Sequence, residues 1–300
     1  MPTLLCFGFG YSAEHFVASF GDAFERVIGT VRSAERAAVL NAHPGGRLKA
    51  LLFDGVVATP ELIRKIAAAN YLLVSAPPAD RGDPALSVCG DALAHAPHLQ
   101  SIVYLSTVGV YGDANGAWVD ETTPPHPGAG RSHGRLAAEA AWQKLGARRG
   151  IPVAVFRLAG IYGPGQNALT QIVRGAARRI VKPGQIFNRI HVADIAQAID
   201  AAFARKADGI FNIADDEPAP ASDPIAFAAE LLGVAPPPKI AFADAAVSMT
   251  PLALSFWQEC RRVRNDKFKR ALGIDLLYPT YREGLRALYE DMRNASSRGA

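Results

Sequence analysis

The 300-residue chain reads as an α/β protein: a doubly wound parallel sheet with a smaller, partly helical C-terminal lobe. Three observations predict this class. Short apolar or β-branched runs alternate with longer helical patterns through the first half, as strands buried on both faces require. A glycine-rich turn joins the first run to a helical segment. After Gly165 the pattern changes to helices and a segment rich in Ala and Pro.

Leu4–Phe7 is the first strand, followed by a helix over Ser12–Phe20. Arg26–Val31 is the second strand, and Ser33 is placed to cap the next helix. Leu48–Phe53 is the third, with Pro60 suited to the first position of the helix after it. Tyr71–Val74 and Ser101–Leu105 follow as strands four and five. A long helix is expected over Arg131–Arg148, then a strand over Pro152–Leu158. Further on, Ala168–Ile180 reads as a basic helix, Val192–Ala204 as a strongly periodic one, and Ile210–Ile213 as a short strand. Helices are expected near Pro224–Leu232 and Thr280–Arg293. Asn265 or Asp266 is expected to cap a helix that runs to Leu272 and ends at Gly273. The dinucleotide-binding domain is therefore 1–165 plus 191–213. The covering lobe is 166–190 plus 214–293, and 294–300 form a frayed tail.

Hydrophobic residues make up 49% and charged residues 20%, which excludes a disordered or fibrous chain. No apolar run reaches the roughly 18 residues that span a bilayer. The N-terminal residues carry no signal-peptide pattern, so a cytoplasmic location is the expectation. Cys6, Cys89 and Cys260 form no C-x-x-C pair, which argues against a disulfide framework or zinc site, and no metal is expected. A net charge of +4 without a concentrated basic patch points to a small-molecule partner rather than nucleic acid or membrane.

Directly after the first strand stands Gly8-Phe9-Gly10-Tyr11-Ser12-Ala13, a G-x-G-x-x-A turn opening a helix, as in Rossmann-like dinucleotide sites. The first glycine allows the tight turn, and the second leaves room for a pyrophosphate. The small third residue lets helix and strand pack closely, and the helix N-terminus presents free N–H groups to phosphate. Gly8, Gly10, Tyr11, Ser12 and Ala13 are thus the first candidate cofactor residues. The second strand ends in Thr30-Val31-Arg32-Ser33, with no acid to bind both ribose hydroxyls. Arg32, with Ser33 beside it, instead suits a 2′-phosphate, which favours NADP over NAD. Asp54 is placed either to accept from the adenine amino group or to cap a helix. Ala76 and Pro77 are small enough to line the adenosine wall.

These features resemble the extended short-chain dehydrogenase/reductases of the NAD-dependent epimerase/dehydratase type, in an atypical branch. The resemblance rests on the glycine turn and five segments in order. They are Ser106-Thr107-Val108-Gly109-Val110-Tyr111-Gly112, Arg157 to Gly165, Ile190-His191-Val192-Ala193-Asp194, Phe211-Asn212-Ile213 and Tyr278 to Leu285. It implies a hydroxyl at Thr107, with Ser106 just before it beside the cofactor, and a Tyr-x-x-x-Lys pair some 25 residues on. Here Arg131 stands at the tyrosine position and Arg135 at the lysine position. Arginine offers no proton to exchange near neutrality. Arg135 can still hold the nicotinamide ribose, and Arg131 can polarise a substrate carbonyl or bind an acid. Tyr111, Tyr162 and His133 are substitute proton donors, each with a structural reading beside it; Tyr162 is also a candidate substrate contact. Val108 and Gly109 replace the paired carboxylates of sugar dehydratases, which disfavours dehydration.

Arg174, Arg178 and Arg189 (with Arg179 and Lys182) lie where the resemblance places the substrate cover. They read equally as an anion site or as a solvated basic face. His191 and Asp194 read as architectural. Relatives of this kind often form homodimers. The expectation is an NADP-dependent oxidoreductase or epimerase-like enzyme acting on a small, anionic carbonyl or hydroxyl compound. The alternative is an NADP(H)-binding sensor or regulatory protein without turnover.

Overall fold

A computed structural model of the chain describes residues 2–42, 46–79, 82–128 and 130–298. In chain order it contains β1 (Thr3–Phe7), α1 (Tyr11–Phe20), β2 (Arg26–Val31), α2 (Ala34–Asn41), β3 (Leu48–Leu52), α3 (Pro60–Ala68), β4 (Tyr71–Val74), α4 (Pro84–Ala94) and β5 (Ser101–Thr107). Then come β6 (Trp118–Val119), α5 (Gly130–Arg149), β7 (Val153–Leu158), β8 (Gly160–Tyr162), α6 (Ala168–Val173), β9 (Arg179–Val181), β10 (Arg189–His191), α7 (Val192–Arg205) and β11 (Gly209–Ile213). The remainder holds α8 (Ser222–Leu231), β12 (Lys239–Ala241), α9 (Phe242–Ala246), α10 (Pro251–Ser255), β13 (Arg262–Val263), α11 (Asp266–Leu272) and α12 (Tyr281–Arg298).

Seven strands form one sheet in the order β11-β7-β5-β4-β1-β2-β3, and all neighbours run parallel. The strands read as apolar runs because helices cover both faces. One face packs β1, β5 and β7 side chains such as Leu4, Val103 and Phe156 against Phe16 of α1 and Ile195 and Ile199 of α7. The other packs Leu5, Ile102 and Val155 against Leu62 of α3, Cys89 of α4 and Trp142 of α5. The strand order reverses between β1 and β4, so a crevice opens at the carboxyl ends of these two strands. Three small parallel pairs, β10-β8, β12-β9 and β13-β6, tie the later chain over that same edge. A separate core of Tyr162, Leu169, Ile225, Tyr281 and Leu285 sits beneath them.

Helix starts follow local chemistry. The Ser33 hydroxyl accepts from the Arg36 amide (3.2 Å) and opens α2. Thr59 does the same for α3 (3.2 Å), with Pro60 next to it as expected. Asp83 caps α4, a helix that the apolar reading of the region passed over, and also accepts from the Trp142 indole (3.1 Å). Gly273 ends α11 in the left-handed region at φ 61°. Asn265 precedes that helix without a side-chain cap, and its amide nitrogen donates to the Ala214 carbonyl and to Asp216.

Two expectations are corrected. The basic helix over 168–180 is only α6: Gly175 adopts φ 67°, the chain turns, and Arg179–Val181 pairs as a strand with β12. Residues 294–298, read as tail, continue α12; residues 299 and 300 lie outside the described residues. Among the described residues no helix is long and apolar enough to cross a membrane. Nor does any group of three or more His, Cys, Asp or Glu there have the arrangement to hold a metal ion.

Candidate functional site

The glycine turn lies at the crevice. Gly8 has φ 85°, and a Cβ there would stand 2.7 Å from the Ala76 amide nitrogen, so both backbone angle and neighbour demand glycine. Its N–H donates to Thr30 Oγ1 (2.9 Å), and the Phe9 N–H donates to the Thr30 carbonyl (2.7 Å). The Phe9 ring packs on Gly29, where a Cβ would fall 2.6 Å from it. Gly10 is different. It is the N-cap of α1, in extended backbone (φ −120°, ψ −162°), and a Cβ there would meet nothing within 4 Å. The fold has no need of glycine at this position, and the first-turn amides of α1 carry no side-chain cap. Those amides are the ones left for a ligand, because Thr30 takes the two before them.

A groove of about 1150 Å³ runs from this turn along the ends of β2, β3 and β4. Gly8, Gly10, Arg32, Ser33, Asp54, Ala76 and Pro77 all line it. So does Arg36, which the sequence reading missed. It stands in the first turn of α2, just past the Ser33 cap, which brings it to the same end of β2 as Arg32. Arg36 is paired with Glu14 (2.5 Å), whereas Arg32 is exposed and has no partner among the described residues. Asp54 Oδ1 accepts from the Val56 amide (2.9 Å). Tyr11, Ser12 and Ala13 lie at the start of α1 rather than on the groove lining: Ser12 and Ala13 are buried, and Tyr11 donates to the Pro164 carbonyl (3.1 Å).

Pro77 and Pro78 also border a second cavity of about 370 Å³, so the two spaces adjoin at these residues. Thr107, Arg131 and Arg135 line this cavity. The Thr107 hydroxyl accepts from the Gly109 amide (3.1 Å). Arg135 Nη1 donates to the Leu105 carbonyl (2.7 Å) and to Tyr104 Oη (3.3 Å). The Arg131 guanidinium lies over the Phe256 ring, 4.1 Å from its centroid. The far wall holds Phe187, Asn188, Glu259 and Arg261, none of which the sequence reading assigned to a site. The short strand β13 follows Arg261 directly. The pairing of β13 with β6 carries Arg261 to the cavity, and no local pattern announces a pairing across more than 140 residues.

Other candidates sit elsewhere. Ser106 is buried and donates to Glu139, which forms an ion pair with Arg157 (2.8 Å). Tyr111 is buried and donates to Asn212 (2.8 Å), with Arg157 over its ring; burial raises its pKa and Arg157 opposes the rise. Tyr162 donates to the Thr280 carbonyl (3.3 Å), and burial drives its phenol pKa upward. Arg189 is spent on the carbonyls of Phe187, Ala219 and Pro220 (3.1 Å each). Arg174 and Arg178 are exposed, and Gly175 breaks the helix that would have aligned them. None of these six lines the cavity. His133 is exposed and lies off it too. His191 accepts from the Ala193 amide (3.1 Å), and Asp194 accepts from the Leu277 and Tyr278 amides (2.6 and 3.3 Å), the architectural roles expected of both.

Asp215, at the end of β11, has a buried carboxyl with one oxygen unpartnered. Burial lifts its pKa to about 8, against the opposing pull of Arg189. The folded state thus holds a proton that the unfolded chain releases near pH 4. Stability from this group is fullest below about pH 4 and is lost as pH rises towards 8. Thermal melts between about pH 5 and pH 8 are expected to fall by a few degrees more for the native chain than for Asp215→Asn. Parallel curves would remove this role.

Comparison with known proteins fits this geometry. A profile of the NAD dependent epimerase/dehydratase family matches residues 86–214, from α4 to β11. A functionally unknown conserved protein from Silicibacter pomeroyi DSS is 44% identical and superposes with TM-score 0.86, over 97% of this chain and 99% of that one. The 3-diazoavenalumate denitrifying reductase of a Streptomyces species is 30% identical over 183 residues, 56% of this chain and 58% of that protein. The chain spans about half the length of the curated relatives it matches. The dTDP-glucose 4,6-dehydratase of Bacillus anthracis str. Ames, solved in complex with NAD, shares the fold at 18% identity and TM-score 0.75, covering 98% and 97% of the two chains. The family profile lies across the central sheet, from α4 to β11, and ties this chain to the NAD-dependent epimerase/dehydratase family.

Proposed function

We propose that this protein is an NADP(H)-dependent oxidoreductase or epimerase-like enzyme acting on a small anionic carbonyl or hydroxyl compound. The observation that carries the proposal is Gly10: a glycine that the fold does not require, at the mouth of a helix whose first amides lack a cap. A pyrophosphate fits that place. The α1 amides would hold the diphosphate, Arg32 and Arg36 a 2′-phosphate, and Ala76 and Pro77 the ribose wall, with Arg135 at the nicotinamide end. No acid stands at the end of β2 to favour a free ribose.

When bound, the nicotinamide supplies or accepts the hydride. The chain's own part is to bind and orient. Because Thr107 Oγ1 already accepts from the Gly109 amide, its hydroxyl proton is free to be donated to a substrate oxygen. Arg131 and Arg135 add positive charge where an anion would lie.

A sensor without turnover is the second reading. It is supported by the cavity lining, which holds no Tyr, His, Lys or Cys among the described residues, and thus none of the usual proton-exchanging groups except Glu259. Following NADPH absorbance across a panel of carbonyl acids separates the two, since turnover excludes the sensor. Fluorescence titration tests the coenzyme: Arg32→Ala is expected to weaken NADPH about tenfold or more and NADH less than about twofold. Equal losses would refute the 2′-phosphate role.

A further inference from the structure

We infer that the cavity beside Thr107 recognises an apolar carboxylic acid, with Arg131 as the carboxylate anchor, rather than a polyhydroxylated sugar. This inference rests on reading that cavity as the substrate site. It comes from asking which polar groups on the lining remain unspent. The Asn188 side chain is used at both ends: its amide donates to the Arg261 carbonyl (3.0 Å), and its oxygen accepts from the Val263 amide (2.9 Å). Glu259 Oε2 receives both terminal nitrogens of Arg261 (2.8 Å each), and Arg261 also donates to the Gly112 carbonyl. The Ser255 hydroxyl donates to the Leu252 carbonyl (2.8 Å). Arg135 has spent one terminal nitrogen on β5.

A sugar needs many hydroxyl partners, and this lining has few to give. What it does offer is apolar surface and charge. Pro77, Pro78, Leu158, Ile186 and Phe187 supply the first. Arg131 supplies the second, since its guanidinium has no hydrogen bond or acidic partner among the described residues. Its seat over Phe256 limits its rotation while leaving the N–H edge open, the geometry that takes a carboxylate bidentately. Arg261 is neutralised by Glu259, so Arg131 is the stronger anchor. An apolar group carrying one carboxylate uses both resources and strands no polar group of its own.

The test is calorimetric titration of the full chain, without coenzyme, using cinnamate, the neutral cinnamamide and UDP-glucose. Cinnamate is expected to bind at least about tenfold more tightly than the other two. Arg131→Ala should erase that preference, with cinnamamide affinity unchanged as the internal check on folding. Phe256→Leu should weaken cinnamate several-fold by freeing the guanidinium. Equal affinity for acid and amide, unchanged cinnamate binding in Arg131→Ala, or tighter binding of UDP-glucose would each overturn the inference. A parallel NADPH titration keeps the two proposals apart. Cinnamate binding without NADPH binding sinks the coenzyme reading alone, and the reverse result sinks this one alone.

Discussion

Replacing Gly10 by valine is expected to weaken NADPH binding by about 100-fold or more, close to 3 kcal/mol, while the protein stays folded. The backbone at Gly10 is extended, a conformation every residue adopts, and its Cβ direction is empty of protein atoms. Valine is a poorer N-cap than glycine, but that costs at most about 1 kcal/mol, or roughly 2 °C in melting temperature. The isopropyl group would fill open space at the start of α1, where the proposed diphosphate would approach. Gly8→Ala makes the contrast: its positive φ and the Ala76 backbone should bring loss of stability together with loss of binding. Fluorescence titration and thermal melts on the two variants read both effects. Normal NADPH affinity in a folded Gly10→Val protein would end the coenzyme reading.

Glu139→Ala is expected to lose about 3–5 kcal/mol of stability. Glu139 and Arg157 are each only 2% exposed, and their pair closes through Nη2–Oε2 (2.8 Å) and Nε–Oε2 (3.2 Å). Ser106 donates to the same carboxylate, and Arg157 lies over Tyr111, whose hydroxyl reaches Asn212 (2.8 Å). One ion pair thus joins α5, β5, β7 and β11 directly behind Thr107. Alanine would leave the Arg157 charge buried and unpaired, which costs far more than the pair itself contributes. Glu139→Leu combined with Arg157→Met should recover most of the loss, because two apolar groups need no partners. Urea melts give the numbers, and a loss under about 1 kcal/mol for Glu139→Ala would show that the pair is not the tie described.

The groove at the glycine turn was legible in the sequence because its determinants are local. A strand, two glycines and a helix start lie within about a dozen residues, and Arg32 and Asp54 close the next two strands. The resemblance supplied Thr107, Arg131 and Arg135, and these meet on one cavity. Where the reading went astray, the cause was a single turn or a distant partner. Gly175 broke a helix that composition alone favoured, and Asn212 and Glu139 claimed hydroxyls that had been candidate donors or contacts.

Alternating apolar runs and turn residues were enough to determine the parallel sheet, its helices and the placing of the glycine turn at the crevice, since burial on both faces and backbone geometry act over a few residues. The opposite wall of the cavity, with Phe256, Glu259 and Arg261, was decided only by tertiary structure. Which guanidinium stays free depends on carboxylates and carbonyls brought from remote parts of the chain, and no spacing along the sequence encodes that competition.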